Sequence, residues 1–174
     1  KFIPLLCLLA ACNNYTGDTT ATKSQYIVEQ PDKLVLVTGV TGRQGGAVAQ
    51  ALIENGVRVR GMTRNPSSDR AVAMASLGVE LIQGDFDDSN SLDTAMSSVS
   101  GVFVVTDFWE HDYDGEVRHG MNVVDAANRA DVSHLIFTSV ANADQQTGIP
   151  HFDSKYEIER YIYEVGVPYT ILRP

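Results

Sequence analysis

The sequence predicts an α/β domain built on a doubly wound, mostly parallel sheet of six strands. Three observations predict it. Short apolar runs alternate with amphipathic helical segments from Lys33 to the end of the chain. The runs are nearly continuous in apolar residues, as strands covered on both faces are. A glycine triplet, Gly39, Gly42 and Gly45, stands between the first run and the first helical segment.

Lys33 to Thr38 (KLVLVT) is the first strand, closing on Thr38-Gly39. Arg43 to Asn55 is a helix with Ala47, Val48, Ala51 and Leu52 on its inward face, stopped by Asn55-Gly56. Val57 to Met62 is the second strand, Ser67 to Leu77 the next helix, ended by Gly78, and Val79 to Ile82 the third strand. Ser89 to Ser97 reads as a short helix and Val102 to Val105 as the fourth strand. A longer helix follows from Gly115 to Ala130, with Val117, Met121, Val124 and Ala127 or Asn128 on one face. His134 to Thr138 is the fifth strand. His151 to Val165 is a helix with Ile158, Ile162 and Val165 in one stripe, and Tyr169 to Leu172 is the sixth strand. Sheets of this kind bind ligands beyond the carboxyl ends of their strands, where the strand order reverses. The segments after strands one to five are therefore the candidate site.

The chain has 174 residues, 44% hydrophobic and 20% charged, with a net charge of -9. Such a composition suits a soluble globular domain. The negative charge argues against a direct nucleic-acid partner. The chain opens at Lys1 without Met and stops at Pro174 just after a strand-like run, so it reads as the N-terminal portion of a longer protein. Residues 1–12 carry Lys1, an apolar run from Ile3 to Ala11 and then Leu9-Ala10-Ala11-Cys12 at the end, the pattern of a bacterial lipobox with Cys12 as the lipidated residue. The run is too short to span a bilayer, which takes about 20 residues. Residues 13–32 read as a flexible tether, and 33–174 as the folded domain. A genuine leader implies a membrane-anchored lipoprotein in a bacterium. A start assigned too far upstream implies a cytoplasmic protein. Both cysteines, Cys7 and Cys12, lie in this leader, so the folded part holds no disulfide, thiol nucleophile or thiolate metal site. No spacing of His or carboxylates builds a metal site, and His111 and His119 read as surface residues.

The loop after the first strand is Thr38-Gly39-Val40-Thr41-Gly42-Arg43-Gln44-Gly45-Gly46, a G-x-x-G-x-x-G spacing. Glycine permits the tight strand-to-helix turn and leaves no Cβ between the main chain and a pyrophosphate. The first N–H groups and the dipole of the next helix then face the anion. Gly39, Thr41, Gly42, Arg43, Gln44 and Gly45 are thus candidate cofactor contacts, and a nicotinamide dinucleotide is the expected ligand.

This run resembles the loop of the NmrA-like family, an atypical branch of the short-chain dehydrogenases with a Rossmann-type fold. The resemblance extends through Thr63-Arg64-Asn65-Pro66, Gly84-Asp85-Phe86, Thr106-Asp107-Phe108-Trp109-Glu110 and His151-Phe152-Asp153-Ser154-Lys155 to Tyr169-Thr170-Ile171-Leu172-Arg173-Pro174. It implies that some members sense the dinucleotide without turning it over, while others reduce quinones or related small molecules. It also implies a C-terminal substrate lobe beyond Pro174.

The end of the second strand speaks to cofactor choice. NAD-binding sheets usually carry Asp or Glu there for the ribose hydroxyls. Gly61 to Pro66 holds no carboxylate, and Arg64 instead offers a planar fork for a 2′-phosphate, with Arg43 nearby in the loop. NADP(H) is therefore expected over NAD(H), unless Arg64 is merely a solvated surface residue. The resemblance places Asn65 in the phosphate-contacting segment and Asp85 and Phe86 beside the adenine. It places Thr106, Asp107 and Phe108 on the ribose and nicotinamide side. Asp107 stands where family members often carry Asn.

Short-chain dehydrogenases usually pair a proton-donating Tyr with a Lys four residues later and a Ser after the fifth strand. Here Ser139 and Lys155 are present and His151 occupies the Tyr position. Tyr156 is one residue beyond Lys155 and points about 100° away on a helix of 3.6 residues per turn. Ser139, His151 and Lys155 are candidate catalytic residues, with Lys155 also a ribose contact by resemblance. His151 could donate a proton or serve only to begin its helix. Two function classes stay open: a dinucleotide-responsive regulatory domain acting on a protein partner, with weak or no turnover, and an NADPH-dependent reductase of a quinone or other small carbonyl compound.

Overall fold

The computed structural model describes residues 33–145 and 147–174. The leader, the tether and the lipidation reading at Cys12 lie outside the described residues. The elements run β1 (Leu34–Val37), α1 (Arg43–Glu54), β2 (Arg58–Thr63), α2 (Asp69–Ser76), β3 (Glu80–Gln83), α3 (Ser89–Met96), β4 (Gly101–Val104), α4 (Phe108–Arg129), β5 (His134–Thr138), α5 (Pro150–Val165) and β6 (Tyr169–Leu172). A single 3₁₀ turn, Ala143–Gln145, lies between β5 and α5. All six strands are parallel, in the order β3-β2-β1-β4-β5-β6. The chain winds outward from β1 to β3, then returns to lay β4 against the other side of β1. The reversal between β1 and β4 opens the crevice in which such sheets bind ligands.

Alternation along the strands feeds two cores. Val37, Val59 and Phe103 pack with Val40 and Ala49 on the side of α1 and α2. Leu36, Val102, Leu135 and Phe137 pack with Leu92, Val124 and Ile158 on the side of α3, α4 and α5. Leu36, Leu135 and Phe137 are fully buried, each stabilising the fold by about 1.5–3 kcal/mol. Capping fixes the helix starts. Ser68 Oγ accepts from the Ala71 amide at 3.3 Å, and the Asp88 carboxylate accepts from the amides of Asn90 and Ser91. Pro150 opens α5, where its missing N–H costs nothing.

Three sequence expectations are corrected. In α1, Ala47 and Ala51 are exposed, and the inward face is instead Gly45, Val48, Ala49, Leu52 and Ile53. The glycine loop sets this rotation, because a Cβ on Gly45 would lie 2.3 Å from the Gly39 carbonyl oxygen. That approach turns Gly45, and Ala49 one turn on, toward the sheet. The fourth helix begins at Phe108, not Gly115. Asp107 accepts from the Trp109 amide at 2.9 Å and starts a short first segment. Asp112, at φ 58 and ψ -168, breaks the helix and then accepts from the Gly115 amide at 3.1 Å, which restarts it. Finally, His119 is buried at 3% exposure rather than on the surface. It lies one turn from the buried Val123 on the inward face of α4, where Asp87 supplies its polar partner. No helix among the described residues is long and apolar enough to cross a membrane.

Candidate functional site

The site is built from the turn after β1. Gly39 holds φ +58, and a Cβ there would fall 2.7 Å from Val105 Cγ1 on the neighbouring strand end. The Gly42 amide donates to the Gly39 carbonyl at 2.8 Å and closes the turn. Gly42 is also the N-cap of α1. No side chain caps that helix, and its first turn carries no acidic residue. Its first amides are therefore bare at the positive end of the helix dipole. This cradle fits the diphosphate of a dinucleotide, since side-chain atoms at Gly39 or Gly45 would clash with the main chain or its neighbour.

The cradle forms the floor of a cleft of about 930 Å³. The sequence-named Gly39, Thr41, Gly42, Arg43, Gln44 and Gly45 all border it. So do Arg64 and Asn65 after β2, Asp85 and Phe86 after β3, and Thr106 and Asp107 after β4. A smaller recess of about 220 Å³ adjoins it and shares Gln44, Thr106, Asp107 and Trp109. Phe108, Ser139, His151 and Lys155 border this second recess. Tyr156 borders neither.

Charges in the cleft are distributed unevenly. The Arg64 guanidinium meets Glu110 at the start of α4, Nη1 to Oε1 at 2.7 Å and Nη2 to Oε2 at 3.0 Å. The pairing holds the Glu110 carboxyl below its ordinary range and pushes the arginine up. Arg43 and Arg70 make no ion pair among the described residues. Asp85 accepts from the Asp87 amide at 2.9 Å and shapes the turn, leaving Asp88 to cap α3. Asp87 accepts from Arg118 Nε at 2.8 Å and meets His119 Nε2 at 3.0 Å. These two contacts hold its carboxyl well below the usual carboxylate range. The His111 ring sits edge-on to His119 at 4.4 Å, and His119 Nδ1 is buried with no partner.

The second recess rests on a buried network. Glu116 is fully buried and accepts from Thr106 Oγ1 at 2.8 Å and Ser154 Oγ at 2.5 Å. Lys155 Nζ lies 2.9 Å from Glu116 Oε1, 2.7 Å from Thr106 Oγ1 and 3.2 Å from the Thr106 carbonyl. Two of the ammonium's three N–H donors go to Thr106, and the Glu116 carboxylate stands beside it as its counter-charge. Ser139 is 7% exposed and its Oγ has no partner, while its amide donates to the Leu172 carbonyl at 2.7 Å. His151 lies in an aromatic group, with ring centroids 5.8 Å from Phe108, 5.3 Å from Trp109 and 4.6 Å from Phe152. Trp109 is 80% exposed.

Sequence reasoning missed Glu110, Glu116, His119 and Arg70. Glu116 did leave a signal. It is a lone carboxylate one turn before Gly120 and two before Val123 and Val124, in the apolar stripe of α4. Arg70 sits just past the Ser68 cap of α2, at a helix start that faces the cleft. Among the described residues no group of His, Cys, Asp or Glu could hold a metal ion.

Comparison with known proteins agrees with this architecture. The chain is 36% identical over 138 residues to the NmrA-like family domain-containing oxidoreductase hkm9 of Aspergillus hancockii, covering 74% of this chain and 41% of that protein. The Citrobacter sp. triphenylmethane reductase, solved with NADP(H), superposes with a TM-score of 0.72 at 31% identity, over 81% of this chain and 48% of its own. The negative transcriptional regulator NmrA, solved with NAD and with NADP, superposes at 0.71 and 25% identity, over 82% and 45%. The chain therefore spans less than half the length of each of these proteins. The NmrA-like family model matches residues 31–173, and the chain belongs to the NmrA-like family.

Proposed function

We propose that this chain is a dinucleotide-responsive NADP(H)-binding domain with weak or no turnover. The observation that carries the reading is the state of Lys155. Two of its donors go to Thr106, and the buried Glu116 carboxylate at 2.9 Å offsets its charge. A lysine paired in this way keeps one donor for a ribose but has little field with which to ease proton release from a neighbour. The residue one turn before it is His151, and Tyr156 lies off the recess. Binding itself rests on the glycine cradle, where Gly42 to Gly45 would hold the diphosphate. The preference for NADP(H) rests on the three arginines, Arg43, Arg64 and Arg70, around the cleft. Membrane anchoring through Cys12 is a separate proposal from the leader sequence. Fatty-acid labelling in a bacterial host checks it, and unlabelled soluble protein overturns it.

Ser139 favours a second reading, reduction of a quinone or other small carbonyl compound. Its buried hydroxyl is unpartnered at the edge of the recess, ready to donate to a substrate oxygen. A bound NADPH supplies the hydride in that case. Ser139 then orients the acceptor and His151 holds a proton beside it. Two measurements decide. Titration with NADPH and NADH, followed through Trp109, the only tryptophan, should saturate with NADPH tighter. NADPH consumption with a quinone panel should stay at background. Steady oxidation above background would replace the first reading with the second. Tighter NADH binding would remove the cofactor preference.

A further inference from the structure

We infer that Glu110 sets how strongly this site discriminates between dinucleotides with and without a 2′-phosphate. The inference rests on the dinucleotide reading above and goes beyond it. An NAD-type sheet usually supplies a carboxylate from the end of β2 to accept from the adenosine ribose hydroxyls. This chain has none between Gly61 and Pro66. The structure brings one in from the opposite wall. Glu110, on the first turn of α4, lies in the same cleft as Arg64 and engages it through both oxygens.

The two partners of this pair suit different ligands. A guanidinium fork matches a phosphate, and a carboxylate matches a hydroxyl pair. Glu110 occupies the Nη1/Nη2 edge of Arg64, one of the two edges that bind an oxyanion in bidentate fashion. A 2′-phosphate therefore competes with Glu110 for that edge, and the displaced carboxylate stays nearby to repel it. A dinucleotide without the phosphate meets no such competition. It finds a carboxylate already oriented by Arg64 and ready to accept. Glu110 thus favours NAD(H) and opposes NADP(H), while Arg64 does the reverse.

The surroundings keep this balance adjustable. Side-chain exposure is 57% for Arg64 and 47% for Glu110, and exposed ion pairs are weak and open easily. His111 Nε2 stands 3.6 Å from Glu110 Oε2 and would help hold the carboxylate when Arg64 leaves it. Asp85 and Asp107 also face Arg64, but neither makes a contact with it. Arg43 and Arg70 border the cleft without carboxylate partners, so part of the phosphate charge is met whatever Glu110 does. The site is then one that accepts both dinucleotides, with Glu110 narrowing the margin that the arginines create.

The test compares the full chain with its Glu110→Gln variant by calorimetric titration of NADP⁺ and of NAD⁺. Glutamine keeps the shape and removes the charge, and the exposed position leaves folding intact. NADP⁺ should bind about threefold to fivefold tighter, NAD⁺ should weaken by a similar factor, and the affinity ratio should move about ninefold to twenty-fivefold. In an Arg64→Ala background the same substitution should give a clearly smaller gain in NADP⁺ affinity, since only the residual repulsion is then removed. A ratio that moves less than about twofold overturns the role of Glu110. So does a gain in NADP⁺ affinity that persists undiminished without Arg64, because it would reflect general charge alone. If the parent chain shows no saturable binding of either dinucleotide, the cofactor reading itself falls. That outcome is distinct from a parent that binds while its variant's ratio stays fixed.

Discussion

Two glutamates of one helix, Glu110 and Glu116, are paired to cations yet belong to different energetic regimes. Glu110 is 47% exposed, and water screens its contact with Arg64. Glu116 is fully buried and serves Thr106, Ser154 and Lys155 together. Removing one member of a buried pair leaves the rest desolvated and unsatisfied, which costs about 3–5 kcal/mol. Breaking an exposed pair costs at most about 1 kcal/mol. Glu116→Ala should therefore lower the urea midpoint far more than Glu110→Gln does, with little change in the m-value. Equal losses would mean that Glu116 is solvated in a way its burial denies. The network also bears on function, because Glu116 offsets the charge of the lysine that borders the recess. Neither partnership is legible in the sequence. Arg64 and Glu110 are separated by 46 positions, and Ser154 and Glu116 by 38, so only the closed sheet brings them together.

At the scale of elements, α4 and α5 form the wall that positions Lys155. They pack tightly at Gly120, where a Cβ would lie 2.5 Å from Ile158 Cδ1 and 2.6 Å from its Cγ1. Ile158 is fully buried and has no room to yield. Gly120→Ala should destabilise the fold by about 1–3 kcal/mol through overpacking. Ile158→Val in the same chain should recover part of that loss in a thermal melt. Two tyrosine–carboxylate contacts bind the same helices, Tyr113 to Glu157 and Tyr161 to Asp125. Hydrogen bonding to the carboxylate, reinforced by burial, pushes both phenols up to about 12 from an ordinary 10.0. The folded state thus keeps protons that the unfolded chain releases. This contribution is fully present below about pH 10 and is lost as pH rises through about 12. Tyr161→Phe should flatten the decline of stability in that window, and an unchanged slope would remove the phenol from the account. The elements themselves were largely legible. His134–Thr138 and Tyr169–Leu172 are strands with the bounds their apolar runs predict. The start of α4 was not, because the Asp112 break depends on a positive φ that an aspartate rarely adopts. The buried face of α1 was misjudged because a glycine contact, invisible to hydrophobic periodicity, sets its rotation.

For the whole molecule the question is how a chain of net charge -9 admits a polyanion. The cleft is locally balanced, with Arg43, Arg64 and Arg70 against Asp85, Asp107 and Glu110. The repulsion therefore comes from the rest of the surface and acts at long range. Short-range attraction comes from the arginines and the bare amides of α1. Salt separates the two by distance. The screening length is about 30 Å at 0.01 M and about 8 Å at 0.15 M. Between these limits the distant negative surface fades, while contacts made inside the cleft are screened much less. The association rate of NADPH, followed by stopped-flow through Trp109, should therefore rise across that range, whereas for an oppositely charged pair it would fall. Dissociation should respond less, since it reports the contacts already made. An association rate that falls with salt would show that the local field of the three arginines governs approach. Glu110→Gln should then raise that rate most at low salt, because it removes one of the carboxylates balancing that field.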